Sequence, residues 1–544
     1  MISMNVKVLD CTLRDGGYIN DWNFGEKNIK KIISYLTSSE IDMIECGYLS
    51  NKGIYDRDRS VFDSMDRLNE FIPKKRKNSK YVCMINYGEY DIDDIPPFNS
   101  SMIDGIRVVF HIHQVDGAIE FCRQLAKKGY MLFIQPMVTI NYTDSELIKL
   151  VKEVNDISPY AFYIVDSFGV MKKKDLLRMF YLIDHNLNHD IKIGYHSHNN
   201  LQLAYSNAQS FVEVNTQRTR IIDSSVFGMG RGAGNLNTEL FLQFLNDSLG
   251  TQYKIYPLLQ IIDEILNRVY SMNYWGYSLP HYLSAVNNCH PNYASYLAEK
   301  NTLTVKSISE ILFNISAEKK FSFDKQYIEN LYLSYQKHYF DDSNIIFELN
   351  KSFSGKNIIV IAPGRSIEQH QEQIRGLIHH EDTIAISVNF IPEQFNVDYI
   401  FISNEKRFDL LAQNETVNSR NMNVILTSNI YNNSAKHIIV NYMDLLNNTS
   451  AVKDNSTLML LKLLNKLNVK KVFLAGLDGY SYDHTQNYVN KDMMLSTSNQ
   501  VIEHLNIGIA SVLEELKNEM DLTFITPTKY LQLKDWQMEG VNNG

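Results

Sequence analysis

KIGYHSHNN, Lys192 to Asn200, is an apolar run that ends on two histidines one residue apart. On a β-strand residues i and i+2 face the same side, so His196 and His198 point together while Ser197 points away. Taken alone, an H-x-H pair is more often two unrelated histidines than a site. What the pair means depends on where its strand sits in the chain.

Working outward, the same kind of run recurs at Val6 to Leu9, Met43 to Cys46, Tyr81 to Ile85, Gly105 to Phe110, Met131 to Gln135, Ala161 to Asp166, Lys192 to Tyr195 and Ile221 to Ser224. Amphipathic stretches such as Glu26 to Leu36, Asp116 to Lys128, Asp144 to Val154 and Lys172 to Leu182 separate them with helical spacing. Alternating strand and helix requires a parallel sheet, and eight such units in roughly 250 residues is the size at which the sheet closes into a barrel. An open doubly wound sheet is the competitor. The polar residues decide between them, because Asp15, Glu45, Asn86, His111, Gln135, Asp166, His196 with His198, and Asp223 all fall at strand carboxyl ends. Only a closed barrel brings those ends together. The fold class expected is therefore α/β, with a (β/α)₈ TIM barrel over residues 1–277.

Residues 278–350 are tyrosine-rich and helical in pattern, including Ala317 to Gln336, and read as a helical cap or extension carrying SAVNNCHPNYASYL. Over 351–544 a second alternation begins, with strands at Ile358 to Ala362, Thr383 to Ser387, Tyr399 to Ser403, Asn423 to Thr427, His437 to Asn441, Lys471 to Ala475 and Leu522 to Thr526. That pattern predicts an open Rossmann-like α/β domain.

Composition narrows the function classes. The 544 residues are 44% hydrophobic, enough for more than one core, and the formal charge of −9 offers no basic field for nucleic acid or an anionic membrane. Cys11, Cys46, Cys83, Cys122 and Cys289 are scattered and form no C-x-x-C pair, which argues against a disulfide framework or structural zinc. The start runs into a strand without a signal-peptide pattern, no stretch reaches the ~18 apolar residues of a membrane span, and the cytoplasm is the default location. Small-molecule partners fit this composition, and so does a homo-oligomer.

Strands one and seven flank strand eight in a closed barrel, so Asp15 of TLRDGG can reach the point at which His196 and His198 aim. One carboxylate and two imidazoles leave coordination positions open for a substrate. Without the histidines Asp15 would be an Asx-turn residue before two glycines. Arg14 keeps its charge and can either face negative charge developing on a substrate or pair with Glu45. After the eighth strand, DSSVFGMGRGAGN brings backbone close to a ligand, and Asn235 offers a neutral oxygen.

LDCTLRDGGYINDW, YHSHNN and GMGRGAGN together resemble the pyruvate aldolase and acyltransferase superfamily over residues 5 to 280, most closely its 4-hydroxy-2-oxovalerate aldolase branch. The resemblance implies Mn²⁺ or Mg²⁺ on Asp15, His196 and His198, with Asn235 beside them, and a 2-oxo acid such as pyruvate passing through an enolate opposite Arg14 to react with an aldehyde. Glu45, Arg107, Gln135 and Asp166 are the expected substrate contacts. The chain lacks the cysteine of the related lyases in its glycine loop. Those aldolases carry a histidine general base three residues after the aspartate, where this chain has Tyr18. Tyr18, a metal-bound water, or His290 and Tyr293 of HPNY are the alternatives for proton transfer, and HPNY also reads as a proline turn packed on the barrel.

In the second domain IIVIAPGRSI is strand, glycine turn and helix, a form that can receive phosphate or be an ordinary βα turn. With ISVNFIP, VDYIFISNEKRF and the LAGLDGYSYDH segment it loosely resembles bacterial sialyltransferases and motility-accessory-factor domains. That implies a nucleotide or nucleotide-sugar ligand near Gly364, Asn389, Asp478, Tyr480 and His504, although Pro363 stands where the transferases have asparagine. Fusion of the two domains suggests linked steps in building a carbohydrate, such as a surface glycan. An acyl-CoA-dependent condensing synthase on the same barrel and a non-catalytic sugar-nucleotide sensor remain the alternatives.

Overall fold

The computed structural model describes residues 5–74, 78–338, 340–412, 422–430, 437–490, 493, 495, 497 and 499–531. They form two compact units, one running to Ala294 and taking in Ser316–Phe323, the other comprising Ser295–Ile315 and the chain from Asp324.

In the first unit, β1 (Val6–Asp10), β2 (Met43–Leu49), β4 (Lys80–Asn86), β5 (Gly105–Phe110), β6 (Met131–Pro136), β7 (Ala161–Asp166), β8 (Lys192–Ser197) and β9 (Arg220–Ser224) pair in parallel in that ring order. β1 pairs with both β9 and β2, which closes the barrel. β3 (Val61–Phe62) adds two residues outside β2, too short a run to be legible as a strand.

The period-2 alternation builds the interior in layers. Leu9, Met43, Val82, Phe133, Tyr163 and Ile221 pack together as an apolar floor. Their outward neighbours, among them Val8, Ile44, Tyr81, Ile106 and Ile134, lie in the larger core that also holds the buried residues of the surrounding helices. Two residues further along the strands the inward positions become Glu45, Arg107, Gln135 and Asp223, all buried.

The helices follow local rules. Asp144–Ile157 starts on a reciprocal capping box, in which Glu146 accepts from Thr143 N at 2.9 Å and Thr143 Oγ1 accepts from Glu146 N. It buries Leu147, Leu150, Val151 and Val154, the i, i+3, i+4, i+7 stripe, at about 1.5–3 kcal/mol for each side chain. Within HPNY, Pro291 opens the helix Pro291–Glu299, and the buried Tyr293 hydroxyl sits between the carbonyls of Lys319 and Ser322 at 2.9 and 2.8 Å. Tyr293 is therefore a packing residue.

The second unit contains a seven-stranded parallel sheet of β10 (Asn357–Ile361), β11 (Thr383–Val388), β12 (Tyr399–Ile402), β13 (Asn423–Thr427), β14 (Ile438–Val440), β15 (Lys471–Ala475) and β16 (Asp521–Phe524). Its order is β14-β13-β12-β11-β10-β15-β16. The chain runs outward from β10 to β14 and returns to lay β15 on the other side of β10. This makes a topological switch point at the carboxyl ends of β10 and β15.

Candidate functional site

Asp15, His196 and His198 are all buried and each offers a ligand atom within 4.8 Å of the others. Asp15 closes a single turn after β1, its N–H donating to Cys11 O at 2.8 Å, while Trp22 Nε1 pins the turn by donating to Arg14 O at 2.7 Å. The β8 pleat carries the two imidazoles. His196 Nδ1 lies 3.0 Å from Asp223 Oδ2 and His198 Nδ1 lies 3.1 Å from Arg231 O. Both Nδ1 atoms face acceptors, so each carries its proton there and leaves the Nε2 lone pair for a cation.

The electrostatics suit that use. Burial pushes the His198 imidazole down to about 3 against the pull of Asp15, which keeps it neutral. Burial opposes the charge on Asp15, but Arg14 and then His198 hold its carboxyl well below the usual carboxylate range. Asn235 Nδ2 donates to Asp15 Oδ2 at 2.7 Å, and its Oδ1 is buried with no hydrogen-bond partner among the described residues. An orphaned amide oxygen costs about 1–3 kcal/mol, and a hard divalent cation would satisfy it. The residues present therefore fit a hard divalent cation. Gly230 makes the arrangement possible, since a Cβ there would lie 2.4 Å from Asn235 Nδ2 and 2.7 Å from Asp15 Oδ2.

Beneath this centre runs a chain of buried charges. Arg14 bonds Asp15 at 2.5 Å and Glu45 at 2.8 Å, Arg107 pairs with Glu45 at 2.9 Å, and Arg107 also bonds Asp223. With its amide oxygen turned toward Arg107, Gln135 accepts from Nε and Nη2 at 2.5 Å. Three carboxylates face two guanidiniums, which leaves one negative charge for a bound cation to offset. Breaking a buried pair in such a network costs about 3–5 kcal/mol.

Of the residues expected from sequence, Asp15, His196, His198, Asn235 and Arg14 come together, and Arg14 Nη2 is buried with no hydrogen-bond partner among the described residues. Glu45 and Arg107 are wholly buried in the layer below, and Gln135 lies there with them. Asp166 stands apart, because its carboxylate accepts from Val170 N at 2.9 Å and Met171 N at 3.1 Å and so orders the loop after β7. Burial pushes its pKa up to about 7. Tyr18 is 39% exposed at the mouth, its hydroxyl 3.1 Å from that of Tyr48 and its ring 5.4 Å from the Arg231 guanidinium carbon.

Sequence reasoning missed three of these parts. Asp223 was legible only as a rim residue, although its place between strands one and seven put it beside His196. Arg231 is the one charged residue in the glycine loop, a signal that was available. Tyr48 lies past the end of the expected second strand and gave none.

In the second unit, Gly364, Asn389, Asp478, Tyr480 and His504 line one cavity of about 760 Å³ at the switch point. Gly364 N donates to Gly476 O at 2.9 Å, and a Cβ on Gly364 would lie 2.3 Å from that oxygen. The glycine is thus explained by two loops crossing. Asp478 accepts from Ser366 N at 2.8 Å and from its hydroxyl. Asn389 Nδ2 donates to Ser456 Oγ at 2.7 Å, while its Oδ1 is buried without a hydrogen-bond partner among the described residues. His504 lies on an exposed helix face, its Nδ1 2.7 Å from Gln500 O. Arg407 and Lys453, not singled out from sequence, line the same cavity.

Comparison with known proteins places the similarity in the barrel. The HMGL-like family model matches residues 106–265. A 4-hydroxy-2-oxovalerate aldolase of Bacillus cereus (strain ATCC 10987 / NRS 248) is 25% identical over 268 residues, 48% of this chain and 75% of that one. An oxaloacetate decarboxylase of Mycobacterium tuberculosis is 23% identical over 238 residues, 44% of this chain and 69% of its own. Among solved structures, the N-terminal domain of a Bacteroides vulgatus protein named as an aldolase is 27% identical, covering 56% of this chain and 99% of its own, with a TM-score of 0.47.

Proposed function

Because the N-terminal half of the chain belongs to the superfamily of pyruvate aldolases and acyltransferases, we propose that its barrel is a divalent-metal-dependent carbon–carbon lyase acting through a pyruvate-type enolate. The observation that carries this reading is the buried convergence of Asp15, His196 and His198 with the orphaned Asn235 Oδ1. Asp15, His196, His198 and Asn235 would hold the divalent cation, which when bound would supply Lewis-acid charge to a 2-oxo acid. Arg14 directs its unpartnered Nη2 to the oxygen on which enolate charge develops, and its bonds to Asp15 and Glu45 keep it in place. Asp223 orients His196, and Arg107 neutralises Asp223 from below. Tyr18, at the mouth and hydrogen-bonded to Tyr48, passes a proton between the pyruvate methyl carbon and the aldehyde oxygen, so that the proton lost on enolate formation is balanced by the one the aldol product gains.

The test is exchange of pyruvate methyl protons with deuterium, followed by NMR without any aldehyde. Manganese-dependent exchange that stops with EDTA and in His196→Ala supports the reading. Exchange that ignores both sinks it.

For the second unit we propose a nucleotide or nucleotide-sugar ligand, with the two halves serving linked steps in building a carbohydrate of the surface-glycan kind. The supporting observation is the switch-point cavity, where Asn389 Oδ1, the N-terminus of helix Ser456–Lys466 and the cations Arg407 and Lys453 meet. Titration calorimetry with CMP, UDP and GDP tests it. One nucleotide should bind and lose affinity in Asn389→Ala, whereas no heat with any of the three refutes it.

A further inference from the structure

Arg231 is an ionic group at the barrel mouth that neither the metal centre nor the charge network uses among the described residues. Among the described residues no carboxylate lies within ion-pair distance of it. Its guanidinium has only Ser167 O at 3.4 Å and the face of Tyr18. It is half-buried, and it belongs to the loop whose carbonyl at the same residue fixes His198. A half-buried cation with no ion pair is set to receive an anion.

Its surroundings describe the receptor. Its guanidinium meets the carbonyl of Ser167 in the loop after β7 and the Tyr18 ring in the turn after β1, and its own carbonyl meets His198 at the end of β8. These groups come from the ends of β1, β7, β8 and β9. Phe168, after β7, carries the His290 ring at 6.0 Å and stacks on Phe321 at 6.1 Å, which walls the space with apolar surface. His290 Nδ1 accepts from Asn292 N at 3.2 Å, so the ring is fixed with its proton on Nε2 as a second donor. Arg14, by contrast, is 4% exposed and committed to Asp15 and Glu45. Arg14 is thus committed to the charge network, and Arg231 is left to a ligand group outside it.

Resting on the lyase reading, we propose that the aldehyde which condenses with, or is released from, the enolate carries an oxyanion group, a carboxylate or a phosphate, held by Arg231 with His290 as a second donor. The site thereby selects an anionic aldehyde over a neutral one of the same length.

The experiment measures kcat/KM with pyruvate and Mn²⁺ for two matched pairs, butyraldehyde against succinic semialdehyde and glycolaldehyde against glycolaldehyde phosphate. It uses the full chain and its Arg231→Gln and Arg231→Lys forms. The anionic member of at least one pair is expected to be favoured by about 10²-fold, and which pair shows it tells carboxylate from phosphate. Arg231→Gln should bring that ratio close to one and Arg231→Lys should keep an intermediate value, with the neutral aldehyde as the control for a damaged fold. Equal use of both members by the wild type overturns the proposal. So does a loss in Arg231→Gln that is the same for all four aldehydes, which would assign the arginine to pyruvate. Deuterium exchange into pyruvate needs no aldehyde, so exchange with a flat aldehyde profile ends this proposal alone, whereas absent exchange ends the lyase reading and this proposal with it.

Discussion

His196 Nδ1 lies 3.0 Å from Oδ2 of Asp223, the carboxylate that also bonds Arg107 and takes the Tyr163 hydroxyl on its other oxygen at 3.0 Å. One acid thus orients a metal-facing imidazole and balances a buried guanidinium. Asp223→Asn is expected to lower Mn²⁺ affinity by about 10–100-fold, read by calorimetric titration. It should also reduce the melting temperature, because Arg107 loses a charged partner that is worth about 3–5 kcal/mol when broken. Unchanged affinity in a folded variant would remove Asp223 from the centre.

Gly230 tests the geometry from a residue that ligates nothing. A methyl group in Gly230→Ala has to displace both Asn235 Nδ2 and Asp15 Oδ2. Mn²⁺ affinity should fall by at least about 10-fold, while stability drops by about 1–3 kcal/mol as in other overpacked sites. Equal losses in metal-free and metal-loaded melting would mean that the glycine serves packing alone.

Tyr18 stands where related aldolases are expected to place a histidine. If its hydroxyl transfers the proton, Tyr18→Phe lowers kcat for aldol turnover by about 10²–10⁴-fold and leaves the pyruvate KM nearly constant. Tyr18→His should recover much of that loss, with a pH profile following the imidazole. A Tyr18→Phe enzyme of near wild-type kcat would transfer the role elsewhere.

How far the sequence carries can be seen residue by residue. The eight barrel strands, the rim and the meeting of Asp15 with His196 and His198 were legible because a strand's alternation and a barrel's closure are geometric consequences of spacing. The seven strands of the second sheet followed the same pattern, but not the ring of charges. Glu45, Arg107 and Gln135 looked like substrate contacts because they are polar and lie along the strands, and spacing says nothing of depth. Whether an inward polar residue meets substrate or another side chain depends on the layer it occupies, which the register sets. Asp166 was opaque for a related reason, since its partners are backbone amides of a loop that the sequence leaves without a conformation.

Acid should loosen the segment that carries His290. Burial pushes His290 down to about 3 from an ordinary value of about 6.5, so the unfolded chain takes up this proton first. The contribution of His290 is fully present above about pH 6.5 and is lost progressively as pH falls toward 3. Melting temperatures from pH 7.5 to 4.5 should therefore fall more steeply for the wild type than for His290→Gln. Parallel curves would mean that the imidazole is not held neutral.

The central claim is that Asp15, His196 and His198 hold one divalent cation, and Mn²⁺ titration followed by electron paramagnetic resonance addresses it most directly. The result expected is one tight site per chain, competed by Mg²⁺ and abolished in His196→Ala and Asp15→Ala while both variants keep the wild-type circular dichroism spectrum. Saturation without a tight site, or a site that survives both substitutions, would contradict the account.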